Sequence, residues 1–181
     1  MKRLLCLLTV SFLFALTACG ENKNPFSKSV PPMMPAYFSS DMRIIKDGGE
    51  MTANIVRDRN GVTKITVVTP EDLGGLSLRF GNDTGSLSYG NMSIDIDCSK
   101  FPETMIFKIL LDTLKRLTSD ADITARKTSS GWEYALTDGT DKKITVIQNL
   151  ETGFIDSVNV PSRSFLIEFS NFEELTETTI K

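Results

Sequence analysis

Asp95 and Asp97 stand two residues apart in the run Met92-Ser93-Ile94-Asp95-Ile96-Asp97. On a strand, that spacing places both carboxylates on one face. Paired acids can divide the acid and base roles of a hydrolysis. The same alternation is also the ordinary signature of a half-buried strand with its carboxylates in water, which is the simpler reading. Cys98 follows directly, and the only other cysteines are Cys6 and Cys19. There is no histidine anywhere in the chain. That removes Ser-His-Asp and Cys-His catalysis, and His-ligated zinc with them. Asn82-Asp83-Thr84 lacks the ligand spacing of a calcium loop, and Gly74-Gly75 is not followed by the Gly-Lys-Ser/Thr of a phosphate loop. We therefore expect a non-catalytic protein with no metal and no cofactor.

The other chemistry in the sequence is at its start. Lys2 and Arg3 precede an apolar run from Leu4 to Leu16, broken only by Thr9 and Ser11. A positive start, a short apolar stretch and small residues after it make a secretory signal. The run falls short of the roughly 20 apolar residues that span a bilayer. It closes on Leu16-Thr17-Ala18-Cys19, which resembles the bacterial lipobox. That resemblance implies diacylglycerol on the Cys19 sulfur and cleavage just before it, so that residues 1–18 are removed. The chain would then be extracytoplasmic and held on a membrane by lipid. Gly20, not Asp, follows the cysteine. This permits outer-membrane sorting in a Gram-negative cell, while in a Gram-positive cell the anchor sits on the outer face of the plasma membrane.

Cleavage there leaves about 160 residues, the size of one domain. Lys2 and Arg3 leave with the signal, so 20 bases and 23 acids become 18 and 23, a net charge of −5. A mildly acidic domain without a basic cluster is a poor partner for nucleic acid or for anionic lipid surfaces. With Cys6 removed and Cys19 acylated, Cys98 has no partner for a disulfide. It reads as a small inert strand-end residue.

Residues 19–36 contain Pro25, Pro31, Pro32 and Pro35 and read as a semi-extended tether. The Met33-Met34 pair within it either belongs to the linker or caps the domain edge. From Tyr37 the period is two. Expected strands cover Tyr37 to Lys46, Met51 to Asp58, Val62 to Thr69, Leu76 to Phe80, Ser86 to Tyr89 and Met92 to Asp97. Asp47-Gly48 and Asn60-Gly61 supply hairpin turns. A helix is expected over residues 102–118, opened by Pro102, with Ile106, Phe107, Leu110, Leu111, Leu114 and Leu117 on its apolar face. Strands then return over Ile123 to Lys127, Trp132 to Thr137, Lys143 to Gln148, Phe154 to Val160 and a last one carrying Phe165, Ile167 and Phe169. The domain is bounded at 37–172, and residues 173–181 read as a polar tail.

The expected class is α+β: about ten or eleven antiparallel strands in a strongly curved sheet, a half-barrel wrapped on one helix. This arrangement resembles the superfamily of the LolA and LolB lipoprotein carriers and their relatives among Gram-positive lipoproteins. Thr69-Pro70-Glu71-Asp72-Leu73-Gly74-Gly75-Leu76 is similar to the Pro-x-x-Leu-x-Gly-Leu step of small clostridial-type lipoproteins. The order from Leu87-Ser88-Tyr89 to Phe101-Pro102 and the helix matches as well. The chain departs from the carriers in having a proline-rich tether where they have an amphipathic helix.

The resemblance implies a binding module for a lipid or other hydrophobic ligand. Its candidate lining is Phe38, Met42, Phe107, Leu111, Trp132, Tyr134, Phe165 and Phe169. Side chains of this kind at strand and helix spacing ordinarily fill a core, and a hollow between helix and sheet is what would make them a site. The alternative is a scaffold lipoprotein whose sheet edge docks or regulates an envelope protein.

Overall fold

The computed structural model describes residues 31, 33–81, 84–100, 105–119, 123–137, 140 and 142–176. Leu16, Thr17, Ala18 and Cys19 lie outside the described residues, as do Pro102 and Glu103.

The first half of the chain is a meander of strands β1 (Phe38–Lys46), β2 (Gly49–Arg57), β3 (Thr63–Thr69), β4 (Ser77–Phe80), β5 (Thr84–Tyr89) and β6 (Met92–Asp97). Helix α1 (Ile106–Ser119) follows. A second meander then runs through β7 (Ala125–Lys127), β8 (Trp132–Thr137), β9 (Lys143–Gln148), β10 (Ile155–Val160) and β11 (Phe165–Glu174). The two meanders join where β1 pairs antiparallel with β11. The result is one 11-stranded sheet in the order β6-β5-β4-β3-β2-β1-β11-β10-β9-β8-β7, with β6 and β7 at its edges. The α+β class and the open antiparallel sheet, with one α-helix among the described residues, are as the sequence implies.

Local chemistry explains the meander. Asp47 and Gly48 both adopt positive φ (50° and 82°), the combination that turns one right-twisted strand back on the next. Gly61 (φ 75°) does the same between β2 and β3, where the Asp58 carboxylate accepts the backbone N–H groups of Asn60 and Val62. Register at the central join is pinned on the outer face. The Arg43 guanidinium on β1 donates to Glu50 on β2 (2.7 and 2.9 Å) and to Glu168 on β11 (2.8 Å).

Helix α1 joins the two edges of the sheet, and its contacts show that the sheet curls. Phe107 lies 6.2 Å from Phe80 of β4, ring to ring, and Arg116 donates to the Thr137 carbonyl at the end of β8 (3.1 Å). β4 and β8 are seven strand spacings apart, about 34 Å in a flat sheet. The rise from Phe107 to Arg116 is only about 14 Å. Side chains directed down onto a sheet do not make up the difference, and curvature does. Register shifts at Ser39/Asp41, Thr52/Ala53 and Ile155/Ser157 supply part of the bend.

One face of the curved sheet and one side of α1 form a single core. Phe38, Met42, Ile55, Ile65, Val146, Val158, Phe165 and Ile167 contribute from the strands, and Ile109, Leu110 and Leu114 from the helix. Several expectations need adjustment. The helix covers Ile106–Ser119, and Pro102, where the sequence pattern opens it, lies outside the described residues; Met105 is outside the helix and its carbonyl accepts the Ile109 N–H (3.0 Å), the place of a residue that caps an N-terminus. Met34 is 2% exposed and belongs to the core, so of its two readings the edge cap is the one observed. β11 runs on to Glu174, and Leu175 is buried beyond it, because Phe38 at the start of β1 still needs a partner there.

One core group lacks a partner. Thr113 is 1% exposed on α1 and its hydroxyl makes no hydrogen bond among the described residues. Thr113→Val removes that unpaired group at nearly constant shape. It is expected to raise stability by about 1 kcal/mol, read as a higher urea midpoint. A loss of stability would mean that the hydroxyl has a partner in solution.

Candidate functional site

The eight side chains expected to line a ligand cavity are mostly core. Phe38, Met42, Trp132, Tyr134 and Phe165 are buried, and Phe107, Leu111 and Phe169 are half-buried. Phe38 packs 4.9 Å from Phe172, which stacks on Phe154 at 4.3 Å and lies 6.3 Å from Phe169. Tyr134 donates its hydroxyl to Gln148, whose amide donates to the Gly153 carbonyl (2.6 Å). Burial pushes the Tyr134 phenol up to about 12. These groups hold the second meander together. Of the eight, Leu111 alone lines either of the two clefts described below.

The apolar inner face nevertheless does not end where the helix stops covering it. Cross-strand pairing places Ile55, Ile65, Leu78, Leu87 and Ile94 in one row across β2 to β6. Exposure climbs along that row: Ile55 and Ile65 are at 0%, Leu78 at 7%, Leu87 is half-buried, and Ile94 is at 63%. The next row on the same face pairs Tyr89 with Met92, at 44% and 67%. The sequence pattern had implied a half-buried β6, and that expectation is corrected here. Alternation makes Met92, Ile94 and Ile96 face the same way, but β6 is an edge strand, and at Met92 and Ile94 no described residue covers that face. A patch of this kind, continuous with a core, marks a contact surface.

Two clefts open near this hairpin. The first, of about 840 Å³, lies between the turn after β4 and the end of β6, with Arg79, Asp95 and Asp97 on its wall. The two carboxylates do share a face. Asp97, however, accepts from the Ser99 N–H (3.1 Å) and hydroxyl (2.5 Å) and pairs with Lys100 at 3.0 Å. These partners hold its carboxyl below the usual range, Ser99 most of all. A general acid needs the opposite shift, so Asp97 reads as the cap of the short turn at Cys98–Lys100.

The second cleft, of about 290 Å³, lies between α1 and the sheet. Arg57, Phe80, Lys108, Leu111, Asp112 and Lys115 line it. Cys98 is half-buried at its edge. Its sulfur sits 2.8 Å from where a Cβ on Gly85 would be, so Gly85 is needed for Cys98 to pack, in keeping with a structural role for the thiol.

Arg57 is the residue that sequence reasoning passed over. It follows Ala53 and Ile55 at two-residue steps on the inner face of β2, opposite Thr63 of β3. It is a half-buried guanidinium on the wall of the second cleft. The alternation that identified the strand already carried this signal, but an arginine next to a turn is normally solvated.

Among the described residues no helix is long and apolar enough to cross a membrane. No family model matches the sequence, and no curated protein does. In structure, the chain is similar to a LolA superfamily protein of Nitrosomonas europaea at 10% identity and a TM-score of 0.42, covering 83% of this chain and 91% of that one. It is also similar to a DUF1329 family protein of Desulfovibrio piger at 13% identity and a TM-score of 0.40, over 81% and 90%. A third is an uncharacterized conserved protein of Thermus thermophilus, at 12% identity and a TM-score of 0.38, over 81% and 83%. At these identities none of them lends this chain a ligand or an activity.

Proposed function

We propose that this chain is an extracytoplasmic lipoprotein, anchored through Cys19, whose domain binds a hydrophobic ligand without catalysis. The observation that carries this reading is the uncovered inner face of β5 and β6. Phe38, Met42 and Trp132 are buried in the core cluster, which favours a ligand placed outside it. It lies along Leu87, Tyr89, Met92 and Ile94, as an extension of the core that the ligand completes. An acyl chain suits such a surface, because it is long, apolar and asks for no hydrogen bonds. Fully covering a side chain of this size contributes about 1.5–3 kcal/mol.

Fluorescent fatty-acid titration tests the reading. Ile94→Asp and Met92→Asp are each expected to weaken binding by about tenfold or more. Both positions are exposed, so the melting temperature is expected to stay within a few degrees of the native value. Undiminished affinity in both variants, or no binding by the native chain, would contradict the proposal. The free edge of β6 favours a second reading, in which an envelope protein adds a strand there. Crosslinks from β6 to one reproducible membrane-associated partner, with no lipid bound, would favour it instead.

A further inference from the structure

The second cleft differs in character from the apolar strip it adjoins. Lys108, Leu111, Asp112 and Lys115 recur at helical spacing along one flank of α1. Lys108 is paired with Asp112 at 3.2 Å. Lys115 is exposed and pairs with no carboxylate among the described residues. Across the cleft, Arg57 donates through Nε to the Ala36 carbonyl and through Nη1 to the Thr63 hydroxyl, each at 3.2 Å. Both acceptors are neutral. Among the described residues the Nη2 group meets no acceptor. Burial pulls the Arg57 pKa down, with Asp58 opposing. Arginine nevertheless stays charged in proteins, so this guanidinium keeps a half-buried positive charge whose hydrogen-bond acceptors among the described residues are neutral, with Asp58 acting on it only through space.

We propose that the cleft holds the oxyanion headgroup of an amphiphile, a phosphate or carboxylate gripped between Arg57 and Lys115. This rests on the hydrophobic-ligand reading above and names the class of ligand. Arginine's fork suits such an oxyanion in two-point contact, and Lys115 adds a mobile second charge. Phe80 and Leu111 form the apolar floor. Phe80 pairs with Gly85, and Gly85 with Ile96, on the inner face. From that row to Tyr89 and Met92 is four residues along the hairpin, about 13 Å. A headgroup in the cleft therefore directs its chain along the exposed strip. A domain of net negative charge selects an anion here only because these cations are gathered at one mouth.

Calorimetric titration of the purified chain with lysophosphatidylglycerol, a monoacylglycerol of the same acyl chain and inorganic phosphate separates the two ideas. The native chain is expected to bind the anionic lysolipid about tenfold or more tightly than the neutral monoacylglycerol, which has no oxyanion. Arg57→Met should erase that preference and leave monoacylglycerol affinity unchanged. Lys115→Gln, at an exposed site that does not threaten folding, should reduce the preference several-fold. Lys64→Gln, on the outer face of β3, should change neither. Equal affinity of the native chain for the two amphiphiles, or an intact preference in Arg57→Met and Lys115→Gln, overturns the headgroup site while leaving the hydrophobic-ligand reading in place. Binding of neither amphiphile overturns that reading. Phosphate binding lost in Arg57→Met would then keep the oxyanion site as one for a free anion, and absence of phosphate binding too would remove both.

Discussion

Leu110→Ala lowers the unfolding free energy by about 2–5 kcal/mol. Leu110 is at 0% exposure on the sheet-facing side of α1, one turn before Leu114, also at 0%. Around it the core closes from both meanders, with Ile65 of β3, Val146 of β9 and Ile167 of β11 in the same cluster. Truncation there loses the transfer energy of the removed methyl groups and leaves a cavity that a twice-anchored helix does not collapse into. Typical domain stabilities of about 5–15 kcal/mol make this a large fraction of the whole. Urea unfolding should show a lower midpoint with an unchanged slope. A shift below about 1 kcal/mol is what a hollow interior would give, since a residue lining a cavity has few contacts to lose. The experiment thus measures whether helix and sheet enclose a packed core.

Cys19→Ala is expected to move the protein from the membrane fraction to the soluble fraction almost completely. Stable anchoring takes two or more acyl chains, at about 0.8 kcal/mol per buried CH₂, and all of them depend on this one sulfur in the lipobox reading. The rest of the chain offers little to replace them. Among the described residues no helix is long enough to span, and the net charge of −5 after cleavage gives no attraction to anionic lipid. Mass spectrometry should show the acyl mass on the native protein and its loss in the variant. The thermal transition should be unchanged, because Cys19 lies outside the sheet and helix that form the core. A variant that stays membrane-bound and acylated would contradict the assignment.

Much of the architecture was legible in the sequence, because strands announce themselves through alternation and hairpins through Asp-Gly and Asn-Gly. The strand at Trp132 starts where the pattern places it, and the last carries Phe165, Ile167 and Phe169 as expected. The helix was legible as an apolar face, with Ile106, Leu110 and Leu114 at helical spacing. What alternation cannot convey is coverage. Ile65 and Ile94 sit in identical patterns on the same row, yet one is at 0% exposure and the other at 63%, because only sheet order tells which strand is the edge. The same gap left Phe38, Met42, Trp132 and Phe165 ambiguous between core and lining, as both uses select the same side chains. Arg57 was hidden by the opposite bias, a charge read as solvent-facing on a position that points inward.

The central claim is that the uncovered inner face of β5 and β6 holds a lipidic ligand. Its most direct measurement is native mass spectrometry of the protein extracted from its membrane, with the anchor's own mass accounted for. The native chain should carry one additional noncovalent lipid, released by organic solvent and absent from a Met92→Asp, Ile94→Asp double variant of equal thermal stability. A native chain that carries no lipid, or a double variant that carries as much as the native one, would contradict the claim.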